Sequence, residues 1–336
     1  MKFSIAASPQ SLFTAPALRL CGRWFATLAL AATATAALAE FPDRPLHLIV
    51  PFAPGGAVDG IARLTAVEFG RTLGQTVVID NRPGSGGTIG IMAANNAAPD
   101  GYTLLLGNIA LAAAPALYPK SGINPKQFEP LGLIGRSAYV LAVKNDFPAR
   151  TVAELVALAK ANPGKYNYAS AGAGSAIHLA AELFKNKTAI DVVHVPYKGA
   201  GPAMNALLAG EVEMMFGSLS EMKAQIAGKR LRPLAVTAGR RVQALPDLPT
   251  FAEAGVRDFE VAGWYGLYAP AKVSPETLRK LQAAAQTALQ SPAMRQRLAV
   301  YDMEPASGLS KEAGEMLDAE VKRWTEVVRQ ATISVE

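Results

Sequence analysis

From residue 46 onward the chain alternates short, continuously apolar runs with stretches whose apolar residues recur every three or four positions. The runs at 46–52, 76–80, 102–106, 139–143, 166–170, 192–197, 212–216, 231–237 and 266–269 read as strands. The stretches at 59–73, 88–96, 152–161, 175–185, 202–209 and 221–229 read as amphipathic helices. Unbroken apolar strands alternating with helices predict an α/β fold with parallel sheets covered on both faces. The last third has a different pattern: 275–290, 292–300 and 311–330 are helical without strand partners.

Two halves share one plan. Each opens with a strand, a glycine-rich turn and a helix, first over 47–73 and again over 167–185. Two doubly wound lobes are therefore expected, with crossings near 136–142 and 236–241. The first lobe takes 40–137 and, discontinuously, 239–336 with the C-terminal helices; the second takes 138–238. That arrangement implies two hinge segments and a cleft.

The first 39 residues stand apart. Residues 1–23 carry Lys2, Arg19 and Arg23 and no acid; Trp24 to Leu38 is apolar; Ala37-Leu38-Ala39 closes the segment. This is the pattern of a secretory signal peptide cleaved after Ala39. Its loss removes three cations, so the formal net charge falls from +6 to +3, and it removes Cys21, the one cysteine. A single cysteine excludes an internal disulfide, a cysteine zinc site and an iron–sulfur cluster. Half of the residues are hydrophobic and 18% charged, which excludes a disordered chain. The mild positive balance, without basic blocks, gives no case for nucleic acid and slightly favours anionic small molecules.

Four segments can carry chemistry. Phe52-Ala53-Pro54-Gly55-Gly56 leads from the first strand into a helix, whose free N–H groups and dipole make an anion seat. Asp59 is either a cap of that helix or an acid facing the cleft. Ala171-Gly172-Ala173-Gly174-Ser175 repeats the logic in the second half, with Ser175 as N-cap. Ser175 and His178 lie on one helical face, so a nucleophilic pair is conceivable, although no G-x-S-x-G elbow surrounds the serine. Asn81-Arg82-Pro83-Gly84-Ser85-Gly86-Gly87 reads as a turn at the cleft rim, matching neither a P-loop nor a dinucleotide fingerprint. Asn108 sits at a strand end that should reach the cleft; Tyr197, also at a strand end, either lines the cleft or fills the core edge, and Lys198 is either a solvated surface cation or a group that serves an anion. His47, His178 and His194 lack metal-ligand spacing. The expectation is a binding protein with no catalytic residue, metal or cofactor.

Five ordered segments resemble the extracytoplasmic solute receptors of tripartite tricarboxylate transporters, the Bug receptors. They are 41–59, 81–87, 99–104, 195–199 and 264–270. The resemblance implies a type II periplasmic binding-protein fold. It also implies a ligand carboxylate held, often through water, between strand–turn–helix elements that match 53–59 and 171–175 here. Ligands of that family range from citrate and other di- and tricarboxylates to amino acids, nicotinate-like compounds and aromatic acids. The expected partner is a membrane transporter that reads the closed form. A sensor protein is the alternative partner, and a secreted hydrolase using Ser175 and His178 the alternative function. Where many members carry Asp after Phe216, this chain has Gly217; its expected effect is a larger, less acidic pocket, less suited to an amino acid.

Overall fold

The structure, a computed structural model, describes residues 40–333 and Val335. The expected signal peptide and its cleavage site after Ala39 lie outside the described residues. Residues 40–43 carry no helix or strand.

Strands β1 (Leu46–Val50), β2 (Val77–Asn81) and β3 (Thr103–Gly107) form a parallel set in the order β2-β1-β3. The 17-residue β4 (Phe128–Lys144) leads out of it. A second parallel set follows, with β5 (Asn167–Ser170) between β6 (Val193–Pro196) and β7 (Met214–Ser218). β8 (Leu231–Val236) pairs with β4, β9 (Ala262–Pro270) returns along it, and the two-residue β10 (Glu304–Pro305) joins its first half. The strand order is β2-β1-β3-β9-β4-β7-β5-β6. The first half of β4 belongs to one sheet and its second half to the other, which gives the α/β fold its two lobes.

The sheets are not parallel throughout, as the alternation predicts. β4 and β9 are antiparallel to each other and to their other partners, because one carries the chain out of the first lobe and the other brings it back. The first half of β4 has no strand signature: Pro130, Gly132, Gly135 and Arg136 interrupt it, and the pairing register shifts twice there. Gly132 and Gly135 have a steric purpose. A Cβ on either would lie 2.7 Å from a carbonyl oxygen, of Gly308 or Glu304, so only glycine lets the β10 segment come this close.

The helices are α1 (Ala57–Leu73), α2 (Thr88–Asn95), α3 (Ile109–Leu117), α4 (Val152–Ala161) and α5 (Ala176–Thr188). They continue with α6 (Ala200–Ala209), α7 (Leu219–Ala227), α8 (Pro275–Gln290), α9 (Pro292–Val300) and α10 (Ser310–Gln330). Periodicity does not predict α3, because Ile-Ala-Leu-Ala-Ala-Ala-Pro-Ala-Leu is apolar on every side. Such a helix is stable only when enclosed, and α3 is held by α10. α8 and α9 cover α1. After β8, Phe251 and Phe259, 4.3 Å apart, pack with Phe184 of α5 and Phe216 of β7.

Glu320 organises the packing of α10 on β9. Its Oε2 accepts both buried indole N–H groups, from Trp264 at 3.1 Å and Trp324 at 2.9 Å. Glu320→Ala orphans two buried donors, at about 1–3 kcal/mol for each. The expected outcome is a loss of roughly 2–4 kcal/mol in urea unfolding; an unchanged midpoint would contradict the shared-acceptor role.

Candidate functional site

The first glycine turn is stapled from within. Asn81, the last residue of β2, donates through Nδ2 to the Phe52 carbonyl and to Asp59 Oδ1, both at 3.0 Å. Asp59 Oδ2 accepts the Gly55 N–H at 3.1 Å and Arg63 Nε–H at 2.9 Å. Burial by itself would raise the Asp59 carboxyl; these hydrogen bonds outweigh it and hold the pKa below the usual value. Of the two roles open to Asp59, the geometry gives the local one: a third-position helix carboxylate reaching back to fix the turn. Gly55, with φ +92°, is required by that turn.

The second turn is also stapled. Gly172 N–H donates to Ser170 Oγ at 3.1 Å, and Gly174 N–H to His178 Nδ1 at 3.1 Å. Ser170 Oγ meets His194 Nε2 at 2.6 Å. The rings of His178 and His194 lie 4.3 Å apart, and Tyr168 stacks on His194. Ser175 Oγ caps α5 by accepting the His178 backbone N–H at 3.4 Å. The imidazole nitrogen Nδ1 of His178 is committed to Gly174, so Ser175 and His178 serve the turn and the cap and are not aligned as nucleophile and base.

Between the turns lies a small cavity with about 30 Å³ of room for water-sized occupants. Of the residues expected at the site, Phe52, Ala53, Gly56, Asn108, Ala171 and Ser175 line it. Pro54, Gly55, Asp59, Gly172, Gly174 and Tyr197 do not. Asp59, Gly172 and Gly174 are spent on the turns, and the Tyr197 hydroxyl donates outward to Glu211 at 3.3 Å. The wall also contains Ala57, Val58, Tyr139, Ala176, Ile177, Ala200, Ser218, Glu221 and Tyr265, which sequence reasoning does not select. Tyr265 had a signal, since it sits in the Trp264–Pro270 segment that carries the resemblance. Tyr139 had none, being one apolar-flanked position in a core strand.

The wall is built from helix beginnings. Ala57 is the first residue of α1, Asn108 the N-cap of α3, Ala176 the first residue of α5, Ala200 the first of α6 and Ser218 the N-cap of α7. Each helix brings first-turn N–H groups without intrahelical partners and a partial positive charge of roughly half a unit. Among the described residues of this wall, Glu221 is the single charged side chain. Its Oε1 accepts the Ala57 N–H at 2.6 Å and its Oε2 the Ser218 hydroxyl at 2.7 Å. Burial pushes the phenols of Tyr139 and Tyr265 upward, and the nearby Glu221 carboxylate adds to it at both, so both stay protonated donors. Gly217 does not enlarge the pocket as expected. A Cβ there would fall 2.3 Å from Met222 Cε, so Met222 already fills the space, and Glu221 restores a carboxylate.

The third glycine turn closes the cavity from the rim. A Cβ on Gly86, whose φ is +60°, would lie 1.9 Å from the Ala173 carbonyl oxygen. The two lobes thus touch backbone to backbone. Tyr118 adds a hydrogen bond to the same carbonyl at 2.6 Å, and Lys223 pairs with Asp302 at 2.9 Å.

A family model described as the tripartite tricarboxylate transporter family receptor matches residues 61–333. Among solved structures, the periplasmic binding protein BugD is 35% identical, with a TM-score of 0.84 over 88% of this chain and 99% of that one. The R. palustris protein Rpa4515, solved with adipate, is 34% identical, with a TM-score of 0.83 over 88% and 99%. MatC from Rhodopseudomonas palustris, solved with bound malate, is 33% identical, with a TM-score of 0.82 over 86% and 100%.

The paired imidazoles make the second turn sensitive to acid. Burial pulls His178 and His194 down to about 4, and for His194 the neighbouring His178 adds to the effect. Both are neutral in the fold and bind protons more readily once unfolded, near 6.5. Stability is therefore full above pH 6.5 and falls as the pH drops from there towards 4, by on the order of 3 kcal/mol for the deeply buried His178 and by less for the more exposed His194. Chemical unfolding at pH 7, 6, 5 and 4 tests this. His194→Gln should flatten the profile, and an equally steep profile in that variant would contradict it.

Proposed function

This chain belongs to the tripartite tricarboxylate transporter receptor family, and on that premise we propose that it is a periplasmic receptor for a small dicarboxylate. Export would follow cleavage of residues 1–39 after Ala39, and the closed form would be presented to the membrane subunits of a transporter. The observation that carries the reading is the convergence of five helix N-termini, from both lobes, on one cavity whose wall, among the described residues, carries no Lys or Arg. Such a wall stabilises a carboxylate through fixed N–H donors and dipoles. Dipoles contributed by both lobes favour a ligand with an anionic group at each end. Adipate and malate, found with similar proteins, have that form. Asn108, Ser175, Tyr139 and Tyr265 add polar contacts.

The lobes in this reading are 44–137 with 262–335, and 138–261. This reading takes the return crossing at the start of β9 and not at residue 239, and it is supported by the packing of Phe251 and Phe259 with Phe184 and Phe216. Closure is a hinge motion selected by a ligand that binds the closed form better than the open one.

Two substitutions test the site. Gly56 has extended backbone that valine tolerates, and a Cβ there faces the cavity, 3.4 Å from Glu221 Oε1. Gly56→Val should weaken adipate and malate binding roughly a hundredfold, about 2.7 kcal/mol, with an unchanged melting temperature; wild-type affinity in calorimetry would reject the site. Gly86→Ala places a methyl on the Ala173 carbonyl. It should leave the fold intact but weaken binding by blocking closure. Equal affinity, with equal compaction in small-angle scattering, would exclude the closure role.

A further inference from the structure

Glu221 occupies an unusual place for an acid in the first turn of a helix. Such a residue ordinarily stabilises the N-terminus of its own helix. Here only half of the carboxylate does so, through Ser218 Oγ. The other oxygen crosses between lobes to the first N–H of α1, 164 residues away in sequence, at 2.6 Å. That N–H belongs to the anion seat formed by the first glycine turn. Gly56 leaves Glu221 room to reach it, since even a Cβ on Gly56 would stand 3.4 Å from Oε1. Two residues further along α7, Lys223 makes a second bridge to the first lobe through Asp302. With Glu221 seated, the Ala57 N–H that an incoming carboxylate would need is already taken.

We propose that Glu221 is an internal stand-in for the ligand: its carboxylate holds the α1 seat and latches the lobes together, and an incoming carboxylate binds by displacing it. The inference rests on the receptor reading above and names the residue that sets its affinity threshold. Displacement costs the charge-assisted hydrogen bond to Ala57 and breaks an interlobe contact, so every ligand competes with the protein's own side chain. A ligand with a single anionic group would exchange one carboxylate for another with little gain. A ligand with a second group gains contacts at the α5 and α6 termini that Glu221 does not make. Glu221 would thus select for two-ended acids.

The test has one arm that needs no ligand and one that uses adipate. In amide NMR spectra, the Ala57 N–H should lie downfield in the wild type and move upfield in Glu221→Gln and Glu221→Ala, with expansion in small-angle scattering. An unmoved Ala57 resonance overturns the proposal whether or not adipate binds. In calorimetry, Glu221→Gln should bind adipate roughly tenfold more tightly than the wild type. Unchanged or weaker binding by Glu221→Gln means that Glu221 is no competitor, and it too overturns the proposal. Failure of the receptor reading has a different signature: no adipate or malate binding by the wild type, while the Ala57 shift still reports the latch.

Discussion

Five positive helix ends meet in one place, and that electrostatic constraint organises the rest of the molecule. Unpaired N–H groups in a desolvated wall are costly unless something negative satisfies them. Among the described residues no cationic side chain lines the wall, so the positive field there comes from the backbone and is fixed by the fold. In this structure Glu221 supplies the negative charge, on the α1 terminus. The wall is therefore complementary to a carboxylate, and on the reading proposed above binding exchanges one carboxylate for another.

The architecture brings those ends together from two lobes. β4 and β9 are the antiparallel pair that joins the sheets. Rigidity is concentrated in the turns: Asn81 and Asp59 hold the first, Ser170, His178 and His194 the second. Gly86 against Ala173 then allows the turns to touch. The two turns are built from different residues but do the same work, presenting a helix N-terminus at a fixed angle.

Much of this was legible from local pattern. The glycine turns announce themselves because positive φ and close backbone approach demand glycine, and Phe52, Ala53, Gly56, Asn108, Ala171 and Ser175 follow as the residues where strands meet helices. Residues that reach the cavity by tertiary crossing were not legible. Tyr139 and Tyr265 sit on β4 and β9, whose pairing joins residues more than a hundred positions apart. Glu221 looks like an ordinary charge at a helix start, and its partner is in the other lobe. Gly172 and Gly174 were correctly singled out as special backbone, but their N–H groups are consumed by Ser170 and His178. α3 escaped because its burial erases the periodicity that marks an amphipathic helix.

The central claim, that both lobes offer helix termini to one anionic ligand, is tested most directly by following backbone amides during a malate titration. Ala57 and Gly56 report the first lobe, Ala176, Ile177 and Ala200 the second. The account predicts that resonances of both groups move together along one saturation curve. Movement confined to a single lobe, or saturation with both groups unmoved, would contradict it.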